Sequence, residues 1–316
     1  MILEKEFFIK LDYRCNNRCL FCSTGTQGNA FLSFNELKEL ILSITPKEYD
    51  IVTLSGGEVT LRKDFLEILE FIKNAGFKIN IQTNARKFND DEFAKSVSKI
   101  GIENFLISFH GHTIDSFEEV TRVKNSYDET VNGIKNLKKH DQSIVSNTVI
   151  STLNYTDLNN IASLLCHLEI DVIKFVYIRA FGYAKDKYSN LCPSFLKSNN
   201  YLDQAIAHIL KNKKVVLTEG VPFCKLKSDK SVAGELYIPN NVNFNDKHNH
   251  EENFSEYELI YHAKGNLCSS CNFNVLCKGP WKEYVDLYGY EEFKPITDIN
   301  PLEILDPDIL VNKLFY

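Results

Sequence analysis

The stretch that decides the fold is Leu11-Asp-Tyr-Arg-Cys-Asn-Asn-Arg-Cys-Leu-Phe-Cys22. It spaces Cys15, Cys19 and Cys22 as C-x3-C-x2-C, directly after an apolar run that predicts a β-strand. Thiolates are the usual protein ligands of [4Fe–4S] clusters, and three of them leave the fourth iron open to a small molecule. The spacing therefore predicts a reactive iron–sulfur site, with a structural zinc site as the alternative.

Size and composition restrict the class of protein. The chain has 316 residues, a net charge of −6 and an apolar fraction of 44%, which are ordinary values for a globular protein of one main domain with a small lobe. We expect no nucleic-acid partner, since the charge gives no basic footprint. The chain has no secretory signal and no apolar run of roughly 20 residues, so we expect a cytoplasmic protein without a membrane partner. Nine grouped cysteines then favour metal or redox chemistry over disulfides.

The first half of the chain alternates β-branched apolar runs with segments of helical period. This alternation predicts parallel strands joined by helices, which a doubly wound sheet or a barrel would satisfy equally. Two segments, Ser33 to Glu36 and Ser126 to Glu129, match the capping box that begins a helix. Six strands are predicted near residues 7–11, 51–54, 79–83, 104–109, 144–150 and 172–178.

A second motif, Leu54-Ser-Gly-Gly-Glu58, follows the second predicted strand. With this turn, the cysteine spacing and Phe21 just before the third cysteine, the chain resembles the radical S-adenosylmethionine (radical SAM) superfamily. In that family the turn brings backbone close to the methionyl amino group of the cofactor, which glycine permits because it lacks a Cβ. The family usually has proline after the glutamate, whereas this chain has Val59.

The resemblance implies an α/β fold, an open six-stranded partial (β/α) barrel with its functional groups at the C-terminal ends of the strands. It implies a [4Fe–4S] cluster and S-adenosylmethionine as cofactors, with the cluster held by Cys15, Cys19 and Cys22. The residues implied to bind S-adenosylmethionine are Phe21, Gly56, Gly57, Glu58, Asn84, Ser108 and Arg122.

Three of those residues are carried over by position after the third and fourth strands. Asn84 and Ser108 can hydrogen-bond the ribose or the amino-acid end of the cofactor, and Arg122 can pair with its carboxylate. Turn chemistry or a surface ion pair is the alternative for each. His110 and His112 lie beside Ser108 and could move a proton, although loop histidines are more often solvated surface groups.

The C-terminal half carries a second cysteine group with the spacing C-x2-C-x5-C, and one cysteine upstream on a predicted hairpin over residues 224–238. The resemblance implies a SPASM-like or shorter twitch extension that holds a second, auxiliary [4Fe–4S] cluster. A four-cysteine zinc site is the alternative. We expect every iron of this cluster to have a protein ligand, from Cys224, Cys268, Cys271 and Cys277.

The chain is expected to divide into a barrel over residues 1–180, a connector over 181–222, an auxiliary-cluster lobe over 223–295 and a tail over 296–316. The connector is predicted to contain a helix over 201–211 and a further strand over 215–218. Residues 240–252 are predicted to form an exposed loop. Cys166 is expected to be a buried apolar residue, and Cys192 a freer loop thiol.

The function implied by the resemblance is reductive cleavage of S-adenosylmethionine to a 5′-deoxyadenosyl radical, which abstracts hydrogen from a substrate C–H bond. We favour peptide or protein maturation through crosslinking, epimerisation or oxidation. A small molecule such as a sugar, nucleotide or cofactor precursor is the alternative substrate. We expect an electron donor such as flavodoxin or ferredoxin, and no separate leader-binding domain before the first strand.

A different class of protein fits the cysteines alone. A non-catalytic iron–sulfur electron carrier or a zinc-stabilised binding protein would also need grouped thiolates. Neither has a use for a turn that approaches the methionyl group of a cofactor. The Gly-Gly-Glu turn therefore favours the enzyme.

Overall fold

The computed structural model describes residues 5–25, 31–237, 243–246, 249–253 and 261–304. Its main feature is a nine-stranded sheet in the order β7-β6-β5-β4-β3-β2-β1-β8-β9. All neighbouring strands are parallel except β8 and β9. The strands are β1 (Glu6–Asp12), β2 (Ile51–Gly56), β3 (Lys78–Thr83), β4 (Asn104–Ser108), β5 (Ile144–Ile150), β6 (Val172–Tyr177), β7 (Val215–Glu219), β8 (Asn243–Asp246) and β9 (Asn249–Asn253).

The sheet does not close, because β7 and β9 are its two edges and do not pair with each other. The partial α/β barrel predicted from the sequence is therefore confirmed, with all six predicted strands in place and β7 continuing the parallel order. The helices of the described residues are α1 (Phe34–Ser43), α2 (Phe65–Asn74), α3 (Asp91–Ser98), α4 (Ile114–Thr121), α5 (Ser126–Lys139), α6 (Leu158–His167), α7 (Tyr188–Leu191), α8 (Phe195–Lys211) and α9 (Lys282–Tyr288).

Helix starts follow local side-chain chemistry. The predicted capping box at α1 is present, since Ser33 accepts from the Glu36 amide and Glu36 accepts from the Ser33 amide. The capping box predicted at Ser126 is wrong: α5 begins after Asn125 in the left-handed region, and the Ser126 hydroxyl donates to the Val123 carbonyl.

The core lies between the helices and the outer face of the sheet. Helix α2 is typical: Phe65, Ile68, Leu69 and Ile72 recur at helical spacing and are at most 1% exposed. Burying each such side chain stabilises the fold by about 1.5–3 kcal/mol. This packing fixes the sheet and therefore the positions at which its loops leave the C-terminal strand ends.

Three predictions in the second half are corrected. The predicted hairpin is absent from residues 224–237, which form short 3₁₀ turns, and Ile238 lies outside the described residues. Part of the predicted loop over 240–252 is instead the β8–β9 pair. The helix predicted over 201–211 begins earlier, at Phe195. Both β7 and β8 join the main sheet, so strands after residue 180 belong to it as well.

Residues 281–283 contact the end of β6 and the residues that follow it. The Trp281 indole donates to the Tyr177 carbonyl at 3.1 Å, and the Ala180 amide donates to Glu283 at 3.2 Å. The Arg179 guanidinium lies 4.1 Å from the centre of the Trp281 ring. These contacts hold α9 against the C-terminal side of the sheet. In the part of the chain that the structure describes, no helix has the length and apolarity to cross a membrane.

Candidate active site

The cysteine loop after β1 is held from two sides. The backbone amides of Arg18 and Leu20 donate to the carbonyls of Thr121 and Val120 at the end of α4, at 2.9 and 3.1 Å. The loop after β6 closes from the other side, where the Tyr183 amide donates to the Cys22 carbonyl at 3.0 Å. The thiols therefore lie on backbone that is fixed by elements far away in sequence.

The three thiols of this loop influence one another. The pKa of Cys15 is raised to about 11 and that of Cys19 to about 12, mainly because the thiols are buried and in part because the neighbouring Cys22 disfavours a second negative charge. Thiolates so placed need a compensating cation. The chemistry of this donor set fits an iron–sulfur cluster, whose iron atoms supply that positive charge.

The glycine turn after β2 packs directly on the cysteine loop. Gly56 has φ +133°, and the Gly57 amide donates to the Asp12 carbonyl at 2.6 Å. The Glu58 amide donates to the Arg14 carbonyl at 2.8 Å. A Cβ on Gly57 would lie 2.3 Å from that same carbonyl oxygen, which no real structure tolerates. Glycine is therefore required here for close backbone approach.

Glu58 points into the protein. Its side chain is fully buried and accepts hydrogen bonds from the Thr60 hydroxyl at 2.6 Å, the Thr83 hydroxyl at 2.7 Å and the Asn84 amide at 2.7 Å. Burial raises the pKa of this carboxyl, while the same donors lower it. The carboxyl thus joins the turn after β2 to the end of β3.

Asn84 continues this connection to the cysteine loop. Its side-chain amide donates to Asn16 at 2.7 Å and lies 3.8 Å from the Cys15 sulfur. The Thr130 hydroxyl holds the Asn84 carbonyl at 3.0 Å. The described contacts of Asn84 therefore position the first cysteine.

Arg86 was not predicted from the sequence. Its guanidinium donates to the Asn16 carbonyl at 2.5 Å and to Asn17 at 2.9 Å, and it pairs with Glu129 of α5 at 2.6 Å. It thereby fixes the backbone between Cys15 and Cys19. No local sequence pattern predicts this role, because Arg86 and the backbone that it binds are about 70 residues apart in the sequence.

The other predicted cofactor residues surround the same loop. Phe21 is buried, with its ring 5.0 Å from that of His110 in an edge-on arrangement. Ser108 ends β4 beside Asn147 of β5. Arg122 is exposed and follows α4 in the left-handed region, next to the residue that binds the Arg18 amide. The structure thus brings Phe21 against His110 and places Ser108 at the end of β4 and Arg122 at the end of α4.

The two loop histidines differ in environment. His110 is 4% exposed, and its Nδ1 accepts from the Val149 amide at 3.3 Å, which places the proton of the neutral ring on Nε2. Burial lowers its pKa to about 4, so it is neutral at physiological pH. His112 is half-buried and lies 3.8 Å from Asp157. A neutral His110 is suited to donating a hydrogen bond.

The lowered pKa of His110 predicts that acid destabilises the fold. An unfolded histidine takes up a proton below its ordinary pKa of 6.5, whereas the folded ring does so only near 4. Stability is therefore full above pH 6.5 and falls by about 3 kcal/mol as the pH drops to 4. Thermal unfolding of the apoprotein between pH 7 and pH 4 should show this loss, and His110→Gln should reduce it. Equal pH slopes for both proteins would contradict the assignment.

The second cysteine group lines a cavity of about 440 Å³. Burial raises the pKa of Cys224 to about 11 and also raises that of Cys277. The Ile296 amide donates to the Cys271 sulfur at 3.3 Å. The cavity contains all four predicted ligands on its walls, Cys224, Cys268, Cys271 and Cys277.

Donor chemistry and enclosed space make this cavity compatible with an iron–sulfur cluster. Within the residues that the structure describes, no three His, Cys, Asp or Glu side chains converge on a single metal ion. A four-iron cluster does not need such convergence, because each thiolate binds its own iron atom. The cavity brings four thiols to one space, which is the donor set that such a cluster takes.

The two remaining cysteines lie outside both groups. Cys166 is only partly buried, although it packs against the core as expected. The expectation of a freer Cys192 is wrong: it is 1% exposed, and burial raises its pKa to about 12. Tyr188 and Tyr288 bind the Cys192 backbone on either side, so this thiol belongs to the core.

Comparison with known proteins identifies the family. Residues 9–165 match the sequence profile of the Radical SAM superfamily, so this part of the chain is a Radical SAM domain. The family uses a [4Fe–4S] cluster and S-adenosylmethionine. The residues matched run from β1 into α6, so they include the cysteine loop, the glycine turn and the ends of β3 and β4.

One relative is similar in sequence to part of this chain. A probable GTP 3′,8-cyclase of Sulfurisphaera tokodaii is 26% identical over 188 residues, covering 58% of this chain and 59% of that protein. The chain thus matches only about three fifths of that relative.

Two solved structures share the fold. Streptococcus suis SuiB bound to its precursor peptide SuiA has a TM-score of 0.65 at 15% identity, covering 88% of this chain and 72% of that one. Native anSMEcpe with bound AdoMet and the Cp18Cys peptide has a TM-score of 0.63 at 14% identity, covering 98% and 99%.

Proposed function

We propose that this protein cleaves S-adenosylmethionine reductively and uses the resulting radical to abstract hydrogen from a substrate C–H bond. The observation that carries the proposal is the contact between the cysteine loop and the glycine turn, in which Gly57 and Glu58 bind the carbonyls of Asp12 and Arg14. An electron carrier would need the thiols but not this turn. Cys15, Cys19 and Cys22 are the proposed ligands of the first cluster.

The chain's own residues prepare this site. When bound, the reduced cluster and S-adenosylmethionine supply the 5′-deoxyadenosyl radical. Asn84 and Arg86 fix the loop that carries the first two cysteines, and Phe21 and His110 wall it on the side of β4 and β5. Gly56, Ser108 and Arg122 are the further proposed cofactor contacts. A loop fixed in this way would hold a bound reactive group in one orientation.

An auxiliary [4Fe–4S] cluster in the four-cysteine cavity is the second part of the proposal. Four thiols for four iron atoms favour full ligation, and a fully ligated cluster would accept or relay an electron rather than bind substrate. The fold shared with anSMEcpe extends over this region, since that structure covers 98% of the chain. The proposed lobe runs over residues 223–295, apart from β8 and β9, which belong to the main sheet, and would close the open side of the barrel.

Peptide or protein maturation by crosslinking, epimerisation or oxidation is the proposed reaction class. SuiB and anSMEcpe, which share the fold, were both solved with peptides bound. A small-molecule substrate is the second candidate, because the GTP 3′,8-cyclase is 26% identical to this chain, whereas SuiB and anSMEcpe are 15% and 14% identical. The proposed location is the cytoplasm, and the proposed electron donor is a flavodoxin or ferredoxin.

Anaerobic reconstitution tests both clusters. The protein should bind about eight iron atoms in two four-iron clusters and, once reduced, convert S-adenosylmethionine to 5′-deoxyadenosine. The triple variant Cys15→Ala, Cys19→Ala, Cys22→Ala should keep about four irons and lose cleavage. Cys224→Ala should lose iron from the second site and keep cleavage.

Cys166→Ala is the matched control, since this cysteine lies outside both groups. It should keep the full iron content and normal cleavage. Retained cleavage in the triple variant would contradict the assignment of the first cluster. A Cys224→Ala protein with full iron content and full substrate turnover would contradict four-cysteine ligation. Zinc in place of iron at the second cysteine group would contradict the auxiliary cluster and show a structural zinc site.

A further inference from the structure

The residue two positions after the third cysteine connects the cysteine loop to the glycine turn. The Thr24 hydroxyl oxygen lies 3.4 Å from the Cys22 sulfur and 3.5 Å from the Gly56 carbonyl oxygen. Thr24 is 8% exposed, so bulk water has little access to either contact. Its hydroxyl therefore lies between a proposed ligand of the first cluster and the turn after β2.

The backbone that carries Thr24 is fixed by the loop after β6. The Tyr183 amide donates to the Cys22 carbonyl at 3.0 Å. Gly182 packs against the carbonyls of Cys22 and Ser23, because a Cβ added to it would lie 2.1 and 2.6 Å from their oxygen atoms. The position of the Thr24 hydroxyl is therefore set by packed backbone on both sides.

The state of Cys22 decides which atom accepts the hydroxyl proton of Thr24. A neutral thiol can donate to the Thr24 oxygen while that hydroxyl donates to the Gly56 carbonyl. A thiolate bound to iron has no proton and can only accept. Charged acceptors form hydrogen bonds roughly twice as strong as neutral ones. With a cluster bound, the Thr24 hydroxyl therefore donates to the Cys22 sulfur.

We propose that Thr24 is a positioning residue whose hydrogen bond to Cys22 raises the reduction potential of the first cluster. The inference rests on the proposed function, because it requires a cluster held by Cys15, Cys19 and Cys22. Reduction adds one electron from a low-potential donor to the cluster, and the hydroxyl proton stays on Thr24. A hydrogen bond to a ligand sulfur strengthens as the negative charge of the cluster grows, so it stabilises the reduced state more than the oxidised state. Burial of the hydroxyl increases this difference.

A side-chain donor can be removed without changing the backbone of the loop. The Cys15 sulfur, by contrast, accepts from the backbone amide of Asn17 at 3.3 Å. Thr24→Val replaces the hydroxyl with a methyl group and keeps the β-branched shape of the side chain. A change of potential in this variant therefore reports the hydrogen bond to Cys22.

The test isolates the first cluster in the full chain. The variant Cys268→Ala, Cys271→Ala, Cys277→Ala is reconstituted, and its cluster is titrated potentiometrically with electron paramagnetic resonance as the readout. Adding Thr24→Val should lower the midpoint potential, so that the ratio of reduced to oxidised cluster at a fixed potential falls about threefold. Thr24→Ser keeps the hydroxyl and should restore the midpoint.

Two controls separate a change of potential from damage to the site. Ser23→Ala removes an exposed hydroxyl one residue away and should leave the midpoint unchanged. In a redox buffer poised at the midpoint of the parent, Thr24→Val should form 5′-deoxyadenosine more slowly, because less of its cluster is reduced. With excess titanium(III) citrate, which reduces the cluster in both proteins, this loss should disappear. The same titration in the chain that keeps all its cysteines provides a second measurement, in which Thr24→Val should move only one of the two midpoints.

A midpoint that is the same in Thr24→Val and in its parent, or that falls equally in Thr24→Ser, would overturn the role of Thr24 and leave the first cluster in place. A chain with all its cysteines that binds no iron after reconstitution would instead overturn the proposed cluster, and the role of Thr24 with it. The iron content measured before the titration therefore distinguishes the two failures.

Discussion

Replacing Gly57 with alanine should abolish cleavage of S-adenosylmethionine. The added methyl group would lie 2.3 Å from the Arg14 carbonyl and 2.6 Å from the Tyr13 carbonyl, both of which are backbone atoms. The cysteine loop must then move away from the turn after β2. Displacement by about 1 Å in a preorganised site can lower the rate about 10²-fold, and a displaced Cys15 weakens cluster binding as well.

The measurement is iron content and 5′-deoxyadenosine formed per chain after anaerobic reconstitution. Gly76→Ala is the control, since it places a methyl group on a glycine of φ 94° that follows α2 and is not part of the turn. It should cost about 1 kcal/mol of stability and leave cleavage intact. Normal cleavage by Gly57→Ala would show that the loop and turn do not depend on close backbone contact.

Replacing Glu58 with alanine should destabilise the fold and, as a result, cleavage. The Thr60 and Thr83 hydroxyls and the Asn84 amide would each lose a buried acceptor. An unsatisfied buried donor costs about 1–3 kcal/mol, so the total should reach several kcal/mol. A thermal shift of roughly 10 °C in the apoprotein is the expected readout.

A control substitution measures how much stability an exposed glutamate contributes, and the Glu58 variant itself distinguishes a positioning role from direct cofactor binding. Glu48→Ala removes an exposed glutamate that accepts from the Thr45 amide and hydroxyl, and it should lower stability by no more than about 1 kcal/mol. If Glu58→Ala lost cleavage without any loss of apoprotein stability, Glu58 would act on the cofactor itself and not through Asn84.

The parallel strands were predictable because each is short, apolar and followed by a helix. Ile51, Val52 and Leu54 of β2, for instance, are all at most 8% exposed, as expected for a strand buried on both faces. The start of α8 was not predictable in the same way. Ser198 and Asn199 are poor helix formers, and burial against the core overrides their local preference.

The C-terminal turns misled for a related reason. The alternation and central glycine of residues 224–238 are typical of a hairpin, whereas the described residues form 3₁₀ turns there and bury the consecutive residues Val232 and Ala233. Strand β8 is polar, and its pairing with β1 is made by backbone groups that leave no mark in the side-chain pattern.

In the candidate site, the sequence predicted that the cysteine loop and the glycine turn lie close together, but not the directions of the side chains around them. The cysteine spacing and the two glycines correctly identified the loop and the turn that meet at the ends of β1 and β2. The inward direction of Glu58 and the tether made by Arg86 depend on partners 25 to 70 residues away. Such contacts follow from the folded sheet and cannot be read from local spacing.

The bond between the Tyr183 amide and the Cys22 carbonyl also bears on how the protein matures. The third cysteine is fixed by a residue that the ribosome adds about 160 positions later, after β6. A nascent chain that ends before β6 would hold the cysteine loop through α4, Asn84 and Arg86 but not through this bond. The loop therefore gains its full set of contacts only after β1 to β6 and the loop that follows β6 have been synthesised.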